Sequence, residues 1–353
     1  MGWDRARAGS RLLLWLALAV LPVSHAAAHG VSLKLHHPYS ADSAFHRNFL
    51  LPWTAKVEQE SGGRIRFHLY PDSPSGESGL GLYDSVREGD AVHVAWTPVP
   101  VSPQHFPRLT AMQQPFTVRG AEGGSRAMWE YTVANDVLDR DFDEVRVLAM
   151  HFGDAARLHF GKAFPTAPTD MGGRRIAAVA PADAELLKAA GAEPVLLSAD
   201  RVVAAVEEGA VEGALLSWER TTAVGLDRVA RSHVDLRAGT PGMTSAAFVL
   251  VMGVRTFRSL PDDLKTVVEA NSGRETSAWL GRVLDEAGVQ ARAAAVARGD
   301  SVRTMTQQEE DRWLAAARSV SNTQAAALER TNVRASPLFE SAREQLQEFD
   351  TVR

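Results

Sequence analysis

One arginine stands out among the side chains that could do chemistry. Arg157 lies in the apolar run A-A-R-L-H-F, where strand alternation places Arg157 and His159 on one face. A buried guanidinium needs a partner, because a charge taken out of water without one is costly. That partner is either a structural carboxylate or an anionic ligand held through the guanidinium fork. The second interpretation makes Arg157 the first candidate for a binding site.

Aromatic rings form the second group of candidates. Trp96, Trp218 and Phe248 lie at or near the ends of predicted strands. Each ring could line a ligand cleft or simply pack in a core, and the sequence leaves both interpretations open. His37 lies in the loop after the first predicted strand and is a candidate polar contact.

The sequence predicts neither an enzyme nor a metal protein. It has no cysteine, which removes thiolate nucleophiles and Cys-type metal sites. Residues 76–80, G-E-S-G-L, lack the second glycine of a G-x-S-x-G nucleophile elbow, and the H-E-x-x-H motif is absent. His36 and His37 are adjacent, so a regular strand would point them to opposite faces. We therefore expect no catalysis, cofactor or metal.

Length and charge are those of a two-domain globular protein. The chain has 353 residues, of which 45% are hydrophobic and 23% charged. Its net charge of -5 comes without a basic cluster, which argues against a nucleic-acid partner.

The N-terminus has the pattern of a secretory signal peptide. Arg5, Arg7 and Arg11 precede or begin an apolar run that continues over 12–23, and a small-residue A-A-A site follows at 26–28. The alternative is a membrane anchor, but the apolar run falls short of the ~20 residues that a spanning helix needs. We expect residues 1–28 to be removed and the mature chain to be periplasmic.

Two α/β units must position the candidate residues. Residues 171–219 predict strand, helix, strand, helix, strand, which is a parallel βαβαβ unit. Ligands bind beyond the carboxyl ends of such strands, here at 180–183, 198–200 and 216–219. The first half of the chain repeats this order of elements.

The order of elements predicts an α/β fold of two lobes joined by crossing strands, with long C-terminal helices. We assign residues 29–154 and about 243–283 to the first lobe. Residues 155–242 and about 284–353, with the C-terminal helices, are assigned to the second. Such a fold suits a hinged clamp with its ligand in the cleft between the lobes.

With these residues in view, the chain resembles the solute-binding proteins of TRAP (tripartite ATP-independent periplasmic) transporters, the DctP-like family, over nearly all of the mature chain. The stretches that carry the resemblance are S-G-G-R-I at 61–65, G-D-A at 89–91, F-P-R at 106–108, D-M-G-G-R-R-I at 170–176 and E-G-A-L-L-S-W-E at 212–219. Each is weak alone, but their order and spacing make a specific match.

The resemblance implies a type II-like periplasmic binding protein fold of the TRAP variety. It also implies a small organic acid as ligand and membrane permease subunits as partners. The A-L-L-x-W-E ending is similar to a branch of the family that takes bulkier or aromatic carboxylates.

One position departs from the family pattern. The family's arginine after the isoleucine of G-x-K-I forks onto the ligand carboxylate, and here that position is Ala177. Such a contact is worth about 1.5–3 kcal/mol, or roughly 10- to 100-fold in affinity. Arg157, which matches a second ligand-facing arginine, and Arg175 are the predicted replacements. Leu216 or Ser217 takes the place of a family asparagine, so the pocket is expected to be more apolar.

The expected function is therefore extracytoplasmic uptake of a small organic acid by a protein without catalytic activity. The alternatives are a periplasmic sensor paired with a membrane receptor, a diverged binder of a non-carboxylate solute, and an exported α/β enzyme.

Overall fold

The computed structural model describes residues 30–74, 80–89, 91–99, 102–162 and 171–350. The predicted leader at 1–28 and residues 76–79 of the G-E-S-G-L loop lie outside this part of the chain. Its strands are β1 (Val31–His36), β2 (Ile65–Tyr70), β3 (Val94–Pro98), β4 (Val145–Phe152), β5 (Ala156–Phe160), β6 (Arg175–Ala178), β7 (Glu193–Leu196), β8 (Gly213–Ser217), β9 (Ser232–Asp235), β10 (Ala247–Gly253) and β11 (Ser301–Thr304). Its α-helices are α1 (Leu51–Glu60), α2 (Gly81–Glu88), α3 (Ala121–Ala134), α4 (Val137–Arg140), α5 (Pro181–Ala189), α6 (Val202–Glu207), α7 (Trp218–Ala223), α8 (Val254–Ser259), α9 (Asp262–Ala270), α10 (Arg274–Arg298), α11 (Gln307–Glu329) and α12 (Ala335–Phe349).

The first sheet has the strand order β2-β1-β3-β10-β4. β1 pairs in parallel with both β2 and β3, which confirms the βαβαβ order predicted for the first half. Period-2 alternation makes β1 a strand, because Leu33 and Leu35 are buried on one face while Ser32 and Lys34 are exposed on the other. β10 is antiparallel to β3 and β4. Two hydrophobic clusters, one on each face of this sheet, form the core of the first lobe.

The second sheet has the order β11-β9-β5-β8-β6-β7. β6 pairs in parallel with β7 and β8, with Ala177 opposite Val195 and Ala214. The central βαβαβ unit is thereby confirmed. β11 was not predicted, because its four residues, S-V-R-T, are too few and too exposed to show a period.

Two neighbouring chain segments connect the lobes. Residues 153–155 lead from β4 to β5, and residues 236–246 lead from β9 to β10. They run side by side, since the amide of Gly153 donates to the carbonyl of Ala246 at 2.9 Å. At Gly242 the approach is so close that an added Cβ would lie 2.1 Å from the Cβ of Ala155. A side chain at this position would have to push the two segments apart.

The C-terminal helices do not all stay with the second lobe. α10 leads from the first lobe to β11 at the edge of the second sheet. α12 then returns to the first lobe, where Leu338, Ala342 and Leu346 join the cluster that also contains Ala127 and Met128 of α3. The expected boundary, which put 284–353 with the second lobe, is corrected for this helix. The buried residues of α12 form one apolar stripe. Such a stripe indicates that the helix packs against the protein but does not indicate against which lobe.

Candidate binding site between the lobes

The site lies where loops at the carboxyl ends of strands from both sheets meet. Tyr39 follows β1 in the first lobe. Its hydroxyl interacts electrostatically with Glu219 and Arg220, which follow β8 in the second lobe. Nearby, a groove of about 340 Å³ separates the loop around Ser40 from α7, with α10 along one side. These contacts place the ligand-binding edges of the two sheets against each other.

The first lobe contributes a stack of aromatic rings. Trp96 lies parallel to Phe45, with ring centroids 3.7 Å apart, and to Phe248 at 4.7 Å. Tyr39 meets Trp96 edge-on at 4.9 Å. Trp96 and Phe248 are 0% and 1% exposed, so they form the floor beneath the site, and Tyr39 is the ring that reaches the opposite lobe.

A neutral histidine holds this stack in place. Trp96 donates its indole N–H to Nε2 of His151 at 2.8 Å, so Nε2 must be the unprotonated nitrogen. Nδ1 of His151 then donates to the carbonyl of Phe152 at 2.8 Å. Burial lowers the pKa of His151 to about 4, which keeps the ring neutral at physiological pH.

A pair of histidines, His37 and His46, borders the stack. Nε2 of His37 lies 2.8 Å from Nδ1 of His46, and the His37 ring packs against Phe45. Burial, followed by the nearby charges of His46 and His36, lowers the pKa of His37 to about 3. Nδ1 of His37 is buried without a hydrogen-bond partner among the described residues.

The second lobe contributes an arginine and a carboxyl group. Ser217 caps α7 by accepting the backbone N–H of Arg220 at 3.2 Å, which fixes the turn that carries Arg220. Nε of Arg220 is buried without a hydrogen-bond partner among the described residues, and so is the Tyr39 hydroxyl. Asp183, in the first turn of α5, accepts the hydroxyl of Thr244 at 2.6 Å.

The carboxyl groups near this arginine have raised pKa values. Burial raises the pKa of Glu219 to about 8, with Asp154 raising it further and Arg220 opposing the shift. Burial likewise raises the pKa of Asp154 to about 7 and that of Asp183 to about 6. At neutral pH, Glu219 is therefore mainly a neutral acid.

A separate polar cluster lies beside the crossing segments. Asp235, at the end of β9, accepts the indole N–H of Trp218 at 2.8 Å and Nε of Arg292 at 2.6 Å. Nε of Arg157 lies 4.0 Å from the same carboxylate, and the charge of Asp154 is also close. These residues border a cavity of about 590 Å³ between α10 and the second crossing segment.

The family model for bacterial extracellular solute-binding proteins of family 7, DctP, matches residues 36–327. The chain belongs to this family. The resemblance predicted from the sequence is confirmed.

Solved and curated relatives of this solute-binding protein agree with that assignment. A TRAP solute-binding protein of Rhodoferax ferrireducens, solved with copurified benzoate, is 28% identical with a TM-score of 0.85, over 90% of this chain and 98% of the other. A marine metagenome TRAP protein solved with 3-hydroxybenzoate is 25% identical with a TM-score of 0.85, over 92% and 100% of the two chains. A solute-binding protein of Albidiferax ferrireducens is 26% identical over 266 residues, 72% of this chain and 75% of the relative. The two-lobe fold of the TRAP solute-binding proteins is thereby established for this chain.

The predicted site residues of this DctP protein form two groups. His37, Trp96 and Phe248 come together in the aromatic stack of the first lobe. Arg157 and Trp218 come together at Asp235, beside the crossing segments.

The other two predicted residues lie apart from the cleft surface. Leu216 is 1% exposed in a small apolar cluster with Ala177. Arg175 is exposed and begins β6, so it lies at the end of the strand opposite to the ligand-binding edge. Arg175 and Ala177 lie on the same face of β6, as expected from their spacing. Arg175 is at the start of the strand, however, and the cleft is at the other end.

Sequence reasoning missed Arg220, Tyr39 and Asp183 as site residues. Asp183 lies in the strand-end segment at 180–183 and Arg220 follows the one at 216–219, so position alone pointed near them. The sequence did not show that the first lobe packs against this turn. Without that contact, the W-E-R start of a helix is typical of a solvated surface.

Among the described residues, no cluster of three or more His, Cys, Asp or Glu side chains could hold a metal ion. No helix in the same part of the chain combines the length and apolar character needed to cross a membrane.

Proposed function

We propose that this DctP-family protein binds a small aromatic carboxylate between its lobes and delivers it to the membrane subunits of a TRAP permease. The observation that carries the proposal is the meeting of an aromatic stack in one lobe with the Arg220 guanidinium, whose Nε is buried, in the other, bridged by Tyr39. An aromatic acid has the same two ends, an apolar ring and an anion.

Two relatives support the ligand class. The proteins solved with benzoate and with 3-hydroxybenzoate are those with 28% and 25% identity to this chain. Their ligands share a single ring and one carboxylate. The groove of about 340 Å³, lined in part by Ser40 and Glu219, the chain neighbours of Tyr39 and Arg220, suits a solute of that size.

The protein acts by closing on its ligand and not by chemistry. The ligand stabilises the closed arrangement, in which Tyr39 reaches Arg220, and so shifts the population of the two forms. An exported, periplasmic location follows from the predicted leader and suits delivery to a permease.

A thermal-shift panel on the mature protein tests this function. Benzoate and 3-hydroxybenzoate, at about 100 times their Kd, should stabilise the folded state by about 2.7 kcal/mol. Acetate, which has the anion without the ring, and benzyl alcohol, which has the ring without the anion, are the matched controls and should give much smaller shifts. Stabilisation by neutral aromatic compounds alone would instead support a non-carboxylate solute.

The permease role needs its own test. Deleting the protein's coding sequence should abolish high-affinity uptake of the stabilising acid by whole cells, and restoring it should restore uptake. Unchanged uptake together with a lost transcriptional response to the acid would support the sensing alternative.

A further inference from the structure

Arg220 is partly buried, and its Nε is fully buried without a hydrogen-bond partner among the described residues. No Asp or Glu oxygen among the described residues forms an ion pair with it, although Asp183 and Glu219 both lie close enough for their charges to interact. Buried polar atoms are normally paired, so the Nε of Arg220 points to a partner that binds from outside the chain.

The neighbouring acids do not take up this charge. Asp183 is occupied by the hydroxyl of Thr244 and by the backbone N–H groups of Val179 and Ala180. Glu219 is mainly protonated at neutral pH, because burial raises its pKa to about 8. Arg220 therefore remains a cation whose Nε–H has no acceptor among the described residues.

The Tyr39 hydroxyl faces this arginine from the first lobe. It is buried, and the Arg220 guanidinium lies close enough for its charge and a side-chain hydrogen bond to favour the ionised hydroxyl. That contact falls short of strict hydrogen-bond geometry, and no acceptor among the described residues takes the hydroxyl proton. Burial and the charge of Glu219 raise the pKa of Tyr39, so the hydroxyl keeps its proton and remains a donor. Two donors from opposite lobes thus converge on one place.

Position 177, where the resemblance to the family implies an anchoring arginine, offers no cation. Ala177 is fully buried among apolar neighbours such as Val202 and Leu216. A charge for the ligand must therefore come from elsewhere in the cleft.

We propose that Arg220 binds the ligand carboxylate through its guanidinium fork and that the Tyr39 hydroxyl donates to the same carboxylate from the opposite lobe. This inference rests on the proposed function and adds the residues that recognise the anion. The Tyr39 ring packs on Trp96 and its hydroxyl faces Arg220, so a bound aromatic acid would lie with its carboxylate at Arg220 and its ring toward the stack. Because the two donors belong to different lobes, the carboxylate is gripped fully only when the lobes are closed.

Titration calorimetry with benzoate on a set of variants tests the inference. R220M should weaken binding by about 10- to 100-fold and abolish the preference for benzoate over benzamide. R220K should weaken it by roughly 10-fold, because lysine offers a point charge without the fork. Y39F should weaken it several-fold. The matched control R228M removes an exposed arginine on the nearby 3-10 turn and should leave the Kd unchanged.

R157M separates this inference from the assignment of the anion to Arg157. We expect R157M to bind benzoate within a few-fold of the unmodified protein, because Arg157 already faces Asp154 and Asp235. If R220M keeps the original affinity while R157M loses it, the inference is overturned and the proposed function stands. If R220M does not fold, R220K decides, and unchanged affinity in R220K overturns the fork contact.

Failure of the function itself would look different. If the unmodified protein binds none of the aromatic acids, the proposed function and the anchor that rests on it both fall. Binding by the unmodified protein that survives in every variant overturns only the anchor.

Discussion

Trp218 donates its indole N–H to Asp235 at 2.8 Å, at the point where β9 ends and the second crossing segment begins. Arg292 of α10 donates to the other oxygen of the same carboxylate at 2.6 Å, and Nε of Arg157 lies 4.0 Å away. One carboxylate thus ties α7, α10 and β5 together beside the hinge.

Replacing this carboxylate should destabilise the protein. D235N should lower the free energy of unfolding by about 3 kcal/mol, near the lower end of the cost of breaking a buried ion pair, because Arg292 is half exposed. Urea denaturation measures the change. D262N, at an exposed carboxylate on α9, is the matched control and should change stability by less than about 0.5 kcal/mol. A loss below about 1 kcal/mol in D235N would show that the cluster does not stabilise the hinge.

A methyl group at Gly242 should disturb the contact between the crossing segments. An alanine Cβ there would lie 2.1 Å from the Cβ of Ala155, so G242A should cost about 1–3 kcal/mol as overpacking. It should also slow or weaken closure, measured as a larger Kd for the stabilising acid. G30A, whose new Cβ would meet Arg64 at an ordinary 3.5 Å, is the control. Normal stability and affinity in G242A would mean that the segments move apart freely.

Removing a ring from the aromatic stack should leave a cavity. F248A should lower the free energy of unfolding by about 3–5 kcal/mol, because Phe248 is 1% exposed and stacks on both Trp96 and His151. V296A, at a half-exposed position of α10, should change stability by less than about 0.5 kcal/mol. If F248A proves as stable as V296A, the stack is not part of the folded core.

Stability should fall as the pH rises above neutrality. The folded protein holds protons on Glu219 and Asp154, with pKa values of about 8 and about 7, that the unfolded chain releases near pH 4. Between those limits the folded state binds more protons, so the free energy of unfolding decreases with rising pH. His37 and His151, with lowered pKa values of about 3 and about 4, act in the opposite direction, but only up to about pH 6.5.

Above that point the carboxyl groups dominate among these four. Above pH 6.5 the free energy of unfolding should decrease by up to about 1.4 kcal/mol per pH unit for each group, up to about pH 7 for Asp154 and about pH 8 for Glu219. E219Q should flatten this decline, and E193Q, at an exposed position on β7, should not. An unchanged slope in E219Q would show that Glu219 releases its proton normally.

The sequence predicted the scaffold better than the site. The βαβαβ units follow from local period and turn residues, so β1, β2, β6 and β8 lie close to where periodicity placed them. The sequence left two partners open for Arg157, a structural carboxylate or an anionic ligand, and the structure places the carboxylate of Asp235 near it. Whether Arg157 also contacts a ligand is what R157M tests, and we expect near-normal binding there.

The residues that were missed depend on contacts between distant parts of the chain. Tyr39 and Arg220 are 181 positions apart in the sequence, and each follows a strand of a different sheet. No local sequence pattern predicts that Tyr39 and Arg220 lie beside each other. The packing of α12 on α3 is the same kind of fact, because an amphipathic stripe does not specify its partner.

The most direct test of aromatic-acid binding between the lobes is a calorimetric titration of the mature protein with benzoate at neutral pH. We predict one site per chain, a much tighter affinity for benzoate than for benzamide, and a negative heat-capacity change from burying the ring. No detectable binding of benzoate or 3-hydroxybenzoate, or equal affinity for benzoate and benzamide, would contradict it.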